Sequence, residues 1–231
     1  MPRTARASKG GVVYHVLNRG NAGAKLFYKD ADYAAFVKLM IETKEVVDMR
    51  TLGYCLMPTH WHMTLWPFED GDLSRYVGRL CNAHVRRHHE HYQTYGRGHV
   101  YQGRFKAFPV QDDRHLITVL RYVEANPVRA KLVESAEHWK WSSLGARVTR
   151  VGAELLSEWP VERPENWIEI VNEVIADTEL VALRTCVTRG RPFGALAWVE
   201  QIARRLDLGF SLRPRGRPQK QTNDKNMDVP F

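Results

Sequence analysis

The chain has 231 residues, of which 44% are hydrophobic, so it is long enough for one well-packed domain and an appendage. Its formal net charge of +8 favours a polyanionic partner, of which nucleic acid is the commonest. No apolar run approaches the roughly 20 residues of a transmembrane helix. We predict no secretory signal at the charged N-terminus. The three cysteines lie far apart, which excludes a disulfide framework and a CxxC zinc site and favours a reducing cytoplasm.

Hydrophobic spacing predicts seven elements in the first half of the chain. They are a strand at 12–18, a helix at 30–48, two strands on either side of Pro58 and Thr59, a helix at 73–91, a strand within 100–111 and a helix at 114–125. This order matches a split βαβ, ferredoxin-like sheet with helices on one face, so we predict an α+β fold. In that arrangement the third strand is central and the third helix can lie near it.

The composition shifts near residue 150, which predicts a first domain at 1–150 and a mainly helical, basic extension at 151–231. Helices are expected at 165–185 and 195–206, with a glycine-containing break between them. A helix, a break and a second helix are compatible with a small DNA-binding unit, although such pairs are common. Part of the extension, in its polar C-terminal tail, is predicted to be disordered.

The stretch Gly-Tyr-Cys-Leu-Met-Pro-Thr-His-Trp-His at 53–62 carries a pair of histidines. His60 and His62 are two residues apart, so on a strand both imidazoles lie on one face while Trp61 lies on the other. Two adjacent imidazoles can hold a divalent metal ion. The alternative is a pair of polar residues on a solvated sheet face, and the pair alone slightly favours that alternative.

The third predicted helix carries Tyr122 and Asn126, which are four residues apart and share a face. An amide oxygen together with two imidazoles can hold a hard-to-borderline cation. Such a cation polarises a phosphodiester, and the phenol attacks the phosphorus to leave a 5′-phosphotyrosine and a free 3′-hydroxyl. The alternatives are a half-buried core tyrosine and an asparagine that caps the helix before Pro127.

Other residues could carry parts of this chemistry but lie outside the third helix. Tyr14, Tyr95 and Tyr101 are competing nucleophiles, and we rank them below Tyr122 because they are not on the helix expected to face the histidine pair. His15 lies on the first strand and could face the site, but we interpret it as structural.

Three segments together resemble a known family. Residues 53–62 resemble the HUH signature of single-tyrosine transposases, and Tyr-Gln-Gly-Arg-Phe-Lys at 101–106 and Leu-Arg-Tyr-Val-Glu-Ala-Asn-Pro-Val-Arg-Ala-Lys-Leu-Val at 120–133 resemble segments of the REP-associated branch. The likeness covers roughly residues 10–145. It implies a bacterial, domesticated relative of insertion-sequence transposases, which nick and rejoin single-stranded DNA at palindromic hairpins with a flanking tetranucleotide, using Mg²⁺ or Mn²⁺.

The resemblance also implies roles for individual residues. His60 and His62 take the places of the two metal-ligating histidines, and Tyr122 takes the place of the nucleophile. Asn126 falls where the family has a polar third ligand, which is often glutamine in the mobile relatives. Mobile relatives are dimers that exchange the tyrosine helix, so this chain is expected to be a monomer or a homodimer.

Basic residues at several places are candidate DNA contacts. Arg104 and Lys106 are two apart on a predicted strand, so both can face phosphates. The motif Arg-Gly-Arg-Pro occurs at 189–192 and again at 215–218, where it resembles an AT-hook that enters a narrow minor groove. The alternative is a basic linker and tail. The full set of DNA-binding candidates is Asn18, Arg19, Arg104, Lys106, Arg189, Arg191, Arg215 and Arg217.

These patterns predict a metal-dependent, single-strand DNA nickase and strand transferase of the cytoplasm, associated with the nucleoid. One alternative is a non-catalytic hairpin-binding protein or repressor, which the presence of all four candidate catalytic residues argues against. The other is a metal-dependent phosphodiesterase that uses water, in which Tyr122 is structural. A covalent protein–DNA adduct distinguishes the prediction from this second alternative.

Overall fold

The computed structural model describes residues 8–213, and within that range no helix has the length and apolar character of a membrane span. The strands are β1 (Val13–Arg19), β2 (Met49–Met57), β3 (His60–Pro67) and β4 (Lys106–Val110). The helices are α1 (Asp30–Lys44), α2 (Asp72–Tyr92), α3 (Arg114–Glu124), α4 (Asn126–Arg129), α5 (Ser143–Thr149), α6 (Trp167–Asn172), α7 (Asp177–Arg189) and α8 (Leu196–Arg205). The seven predicted elements of the first half are all present, in the predicted order.

The four strands form one antiparallel sheet in the order β2-β3-β1-β4. This is the strand order of a ferredoxin-like fold, so the predicted α+β class is confirmed, and β3 is central as expected. Only two residues, Pro58 and Thr59, separate β2 from β3. The short connection fixes the register of the hairpin, and with it the face on which each β3 side chain lies.

One face of the sheet packs against α1 and α2. Trp61 is fully buried in this core together with Phe36 of α1 and Tyr76 of α2. The indole Nε1 of Trp61 donates a hydrogen bond to Tyr101 Oη at 3.1 Å. The predicted direction of Trp61, away from the histidines on either side of it, is therefore confirmed.

The opposite face of the sheet packs against α3 and the helices that follow it. Leu116, Val119 and Leu120 of α3 are fully buried there against Phe108 of β4. The expectation of helices on one face therefore holds for α1 and α2, while α3 covers the other face. Asp113 caps α3, since its carboxylate accepts a hydrogen bond from the backbone N–H of His115 at 2.8 Å.

The later part of the chain packs onto these two layers. The single helix expected at 165–185 is two helices, α6 and α7, because the chain is extended at Glu173. The helix expected at 195–206 is confirmed as α8. Trp167 and Leu183 are buried in the core that contains α3. A boundary near residue 150 stays a prediction, and the predicted tail lies outside the described residues.

A buried histidine in the first core predicts acid sensitivity. His84 is 5% exposed, its Nδ1 lies 2.7 Å from Tyr101 Oη, and burial lowers its pKa to about 3, assisted by His88 and Arg87 and opposed by Asp32. As the pH falls below 6.5, His84 becomes protonated in the unfolded chain, whereas in the folded chain it stays neutral down to about pH 3. The free energy of unfolding should therefore fall by up to about 1.4 kcal/mol per pH unit between about pH 6 and 4 on account of His84.

The variant His84→Gln tests this slope by urea unfolding at several pH values. Its free energy of unfolding should depend less steeply on pH than that of the wild type, by about 1.4 kcal/mol per unit in the acid range. His99 is exposed, so His99→Gln should leave the slope unchanged and serves as the control. Equal slopes for wild type and His84→Gln would contradict the prediction.

Candidate active site

The strand register places the histidine pair among basic residues on the α3 face of the sheet. His60 pairs with Arg19 of β1, and His62 pairs with Leu17. Leu17 pairs on its other side with Lys106 of β4. Since directly paired residues lie on the same face, two imidazoles and two cations share this surface. Arg19 and Lys106 are both exposed, so the surface has accessible positive charge beside the histidines.

The two imidazoles are oriented by hydrogen bonds through their Nδ1 atoms. The ring centroids of His60 and His62 are 5.1 Å apart, with the planes at 83°. Nδ1 of His60 lies 3.1 Å from Thr59 Oγ1, and Nδ1 of His62 lies 3.0 Å from Nε2 of His15. Each ring therefore has its Nε2 atom left for a further ligand, which is the usual arrangement of metal-binding histidines.

Burial keeps these imidazoles neutral. His62 is 4% exposed, and burial lowers its pKa well below the ordinary value, with His15, His60 and Arg129 adding to the effect. Burial also lowers the pKa of His60 to about 4, and the nearby charges of Arg19 and Arg129 act in the same direction. A neutral imidazole has a lone pair on one nitrogen, which a metal ion requires.

Tyr122 lies directly beside His62 and His15. Its ring centroid is 5.8 Å from that of His62 and 6.1 Å from that of His15, in edge-to-face geometry in both cases. The guanidinium of Arg129 lies 4.7 Å from the centre of the Tyr122 ring. The structure thus places Tyr122 next to His62, and His62 next to His60, although the catalytic roles of these residues stay predictions.

Asn126 uses one end of its side chain to cap α3. Its amide nitrogen donates hydrogen bonds to the backbone carbonyls of Tyr122 at 3.0 Å and Val123 at 3.1 Å. Its Oδ1 atom has a contact of 3.5 Å with Arg129 Nη1, which is long for a hydrogen bond. The capping alternative is therefore present in the structure, and it uses the nitrogen rather than the oxygen that a metal ion would bind.

The donor atoms fit a divalent cation of borderline character. Among residues 8–213, no group of three or more His, Cys, Asp and Glu side chains could hold a metal ion. The set that the sequence predicts is different, with two imidazole nitrogens from His60 and His62 and one amide oxygen from Asn126. Neutral rings with unengaged Nε2 atoms fit such a cation, and Mn²⁺ accepts both nitrogen and oxygen ligands more readily than Mg²⁺.

The competing tyrosines lie away from this surface. Tyr14 is fully buried in the core on the other face of the sheet, where burial raises its pKa to about 12. The hydroxyl of Tyr101 is bonded to Trp61 and His84, and burial raises the pKa of Tyr101 well above its ordinary value. Tyr95 is 65% exposed and follows α2. Of the four tyrosines, Tyr122 is the one in ring contact with His62.

The candidate DNA contacts fall into separate groups. Arg19, Arg104 and Lys106 are exposed on or next to the strands that carry the site. Asn18 is 6% exposed, and its side chain donates to Gly103 O at 3.4 Å and accepts from the backbone N–H of Arg19 at 2.9 Å. The structure therefore gives Asn18 contacts within the protein, and its part in DNA binding stays a prediction.

The C-terminal candidates are placed differently. Arg189 ends α7, and Arg191 precedes a segment in which Phe193 forms a parallel bridge with Val110 at the end of β4. Lys106 is at the opposite end of that strand. Both arginines are partly buried. The AT-hook-like residues Arg215 and Arg217 lie outside the described residues.

Sequence reasoning missed Arg129. Arg129 lies over the Tyr122 ring and contributes to the low pKa values of His60 and His62. Arg129 is seven residues after Tyr122. Had the helix been extended through Asn126 and Pro127, this spacing of two turns would have placed Arg129 on the same face as Tyr122. His15 was expected to be able to face the site, and it does so in contact with His62; its interpretation as structural stays a prediction.

Comparison with known proteins gives the class of this chain. Residues 8–126 match the profile of the IS200-like transposases, which is 119 of its 231 residues. The chain belongs to the IS200-like transposase family. It is 27% identical over 110 residues to a curated Haemophilus influenzae protein whose assigned name is REP-associated tyrosine transposase. That match covers 44% of this chain and 62% of the relative, so the chain spans less than two thirds of the relative's length.

A solved structure shares the fold. It is a REP-associated tyrosine transposase bound to a REP hairpin, and it superposes with a TM-score of 0.54 at 18% sequence identity. The superposition covers 65% of this chain and 87% of the other. At this identity the likeness concerns the fold, which agrees with the antiparallel sheet and its helices described above.

Proposed function

We propose that this chain is a metal-dependent single-strand DNA nickase and strand transferase that acts at REP-type hairpins through a 5′-phosphotyrosine intermediate. The observation that carries the proposal is the position of Tyr122, whose ring lies 5.8 Å from His62 on the same face of the sheet as Arg19 and Lys106. Membership of a transposase family and the names of the two relatives support the DNA substrate.

In this proposal His60, His62 and Asn126 would hold a divalent cation, with the two Nε2 atoms and the Oδ1 atom as donors. The cation, when bound, polarises the scissile phosphodiester. The hydroxyl oxygen of Tyr122 forms a bond to phosphorus while the bond from phosphorus to the 3′ oxygen breaks. The phenol loses one proton and the departing oxygen gains one, so the step needs no oxidant and no nucleotide cofactor. Attack by a free 3′-hydroxyl reverses the step and rejoins the strand.

The basic residues of the site have separate tasks in the proposal. Arg129 lies over the Tyr122 ring and within reach of Asn126, so its charge stabilises the negative charge that develops on the phenolic oxygen and the phosphate. Arg19 and Lys106 are exposed beside the histidines and contact the phosphates of the bound strand. The Arg-Gly-Arg-Pro copies at 189–192 and 215–218 add further affinity for DNA.

A denaturing gel tests the proposal. Single-stranded oligonucleotides that carry hairpins from the source genome, with their flanking bases, are incubated with the full chain and Mn²⁺, Mg²⁺ or EDTA. We expect a covalent protein–DNA adduct and a cleaved strand with metal and neither with EDTA. Cleavage without an adduct would favour a phosphodiesterase that uses water, and binding without cleavage under any metal would leave a DNA-binding protein.

The phosphate contacts make a separate prediction about salt. Replacing Lys106 with alanine should weaken binding to all hairpin sequences alike and should reduce the slope of log affinity against log salt by about 1. The matched control is Lys38→Ala, because Lys38 is an exposed lysine on α1, on the other side of the sheet. Fluorescence anisotropy across a salt series measures both slopes. If Lys106→Ala and Lys38→Ala changed the slope of log affinity against log salt equally, Lys106 would not be a specific phosphate contact.

A further inference from the structure

We propose that His15 is a positioning residue that fixes the proton of His62 on Nδ1 and so presents Nε2 to the metal ion. The inference rests on the metal-binding role of His62 given under the proposed function. His15 lies on β1, one of the two central strands, and is fully buried. Its Nε2 atom is 3.0 Å from Nδ1 of His62, which is hydrogen-bond distance.

A neutral imidazole carries one proton, so the two nitrogens of His62 have opposite roles. When His15 Nε2 accepts a hydrogen bond from His62 Nδ1–H, the lone pair of His62 is on Nε2. In the reverse arrangement His15 donates, the proton of His62 is on Nε2, and that nitrogen cannot bind a metal ion. Each ring keeps one proton in either arrangement. The direction of the hydrogen bond between the two rings therefore decides whether His62 can be a ligand.

Packing alone does not explain a histidine at position 15. Its ring lies between Phe108, at a centroid distance of 4.9 Å, and His62, at 5.1 Å. The Nδ1 atom of His15 is buried and has no hydrogen-bond partner within the described residues. An apolar side chain of similar volume would fill this space with no buried nitrogen of its own to leave unpaired. The residue thus has an unfavourable feature in the core that its contact with His62 accounts for.

One substitution at position 15 should change metal affinity and leave thermal stability nearly unchanged. His15→Leu removes the unpaired nitrogen and also the acceptor for His62 Nδ1–H. The full-length variant exchanges one unpaired buried nitrogen, Nδ1 of His15, for another, Nδ1 of His62, so its unfolding temperature should stay close to that of the wild type. Its affinity for Mn²⁺ should fall about 10-fold to 100-fold, the usual range for such supporting contacts. His15→Gln restores a hydrogen-bond acceptor near the position of Nε2 and should recover most of the affinity.

Isothermal titration with Mn²⁺ in the absence of DNA, together with thermal unfolding, measures both quantities. Phe108→Leu is the matched control, because it loosens the packing of the His15 ring and leaves the acceptor in place. It should lower the unfolding temperature and leave Mn²⁺ affinity unchanged. The inference about His15 would be overturned if wild type and His15→Leu bound Mn²⁺ with equal affinity. It would also be overturned if Phe108→Leu and His15→Gln lost as much Mn²⁺ affinity as His15→Leu. Either result would leave the metal-binding role of His62 standing. A wild-type chain that binds no Mn²⁺ would overturn the metal role as well.

Discussion

Tyr122→Phe is expected to abolish the covalent adduct and to reduce DNA cleavage by at least about 10³-fold, because it removes the nucleophilic oxygen. The phenylalanine ring keeps the contacts of the tyrosine ring with His62 and with the guanidinium of Arg129. Affinity for the hairpin and for Mn²⁺ should therefore change little, and the loss should fall on the chemical step. A single-turnover cleavage assay at saturating protein measures that step.

The rival tyrosines supply the control for this experiment. Tyr95→Phe removes the hydroxyl of an exposed tyrosine outside the site and should leave cleavage and adduct formation as in the wild type. If Tyr122→Phe still formed the adduct while Tyr95→Phe did not, the nucleophile would be assigned wrongly. If Tyr122→Phe cleaved DNA at the wild-type rate without an adduct, water would be the nucleophile.

Removal of the Glu124 carboxylate is expected to have the largest effect on stability. Glu124 is fully buried on the same helix as Tyr122, and its carboxylate accepts hydrogen bonds from Arg147 Nη1 at 2.9 Å, Trp167 Nε1 at 2.7 Å and the Ser143 hydroxyl. Burial raises the pKa of Glu124, and the charge of Arg147 opposes that shift. Glu124→Leu leaves a largely buried guanidinium unpaired, so the free energy of unfolding should fall by about 3–5 kcal/mol.

A double-mutant cycle separates the ion pair from the packing around it. Arg147→Met should also be strongly destabilising, because it leaves the buried carboxylate without its charge partner. The double variant Glu124→Leu with Arg147→Met has neither charge, and it should be more stable than the sum of the two single losses predicts. Urea unfolding of the three variants measures the coupling. Additive losses would contradict the account of Glu124 and Arg147 as a coupled pair.

The hydrogen bonds of the Glu124 carboxylate and of its partner Arg147 connect α3, the helix that carries Tyr122, to three other elements. Arg147 of α5 also donates to the backbone carbonyl of Leu52 in β2 at 3.0 Å, and Trp167 belongs to α6. The carboxylate two residues after Tyr122 thus anchors α3 to β2 and to helices beyond residue 140. Segments that carry none of the proposed chemistry therefore hold the tyrosine at its distance from His62.

Local patterns were enough to predict the parts of the fold that depend on periodicity. The spacing of two on a strand placed His60 and His62 on one face and Trp61 on the other, and the structure agrees. The spacing of four on a helix placed Tyr122 and Asn126 on a shared side. The order of strands and helices then allowed few topologies, and the observed sheet is the predicted one.

Contacts that depend on long-range register could not be predicted in the same way. The 3.0 Å contact of His15 with His62 arises from the pairing of β1 with β3, which joins residues 47 apart in sequence. Arg129 was missed because the third helix was predicted to end at residue 125, before Pro127. Proline is compatible with the first turn of a helix, so α4 starts at Asn126 and brings Arg129 back over Tyr122.

The most direct test of the central claim is to map the covalent adduct within the protein. The adduct formed with a hairpin oligonucleotide and Mn²⁺ is digested with protease and nuclease, and the peptide that carries the residual nucleotide is sequenced by mass spectrometry. The account predicts a 5′-phosphate linkage on the peptide containing Tyr122 and on no other. A nucleotide on Tyr14, Tyr95 or Tyr101, or cleaved DNA with no modified peptide, would contradict it.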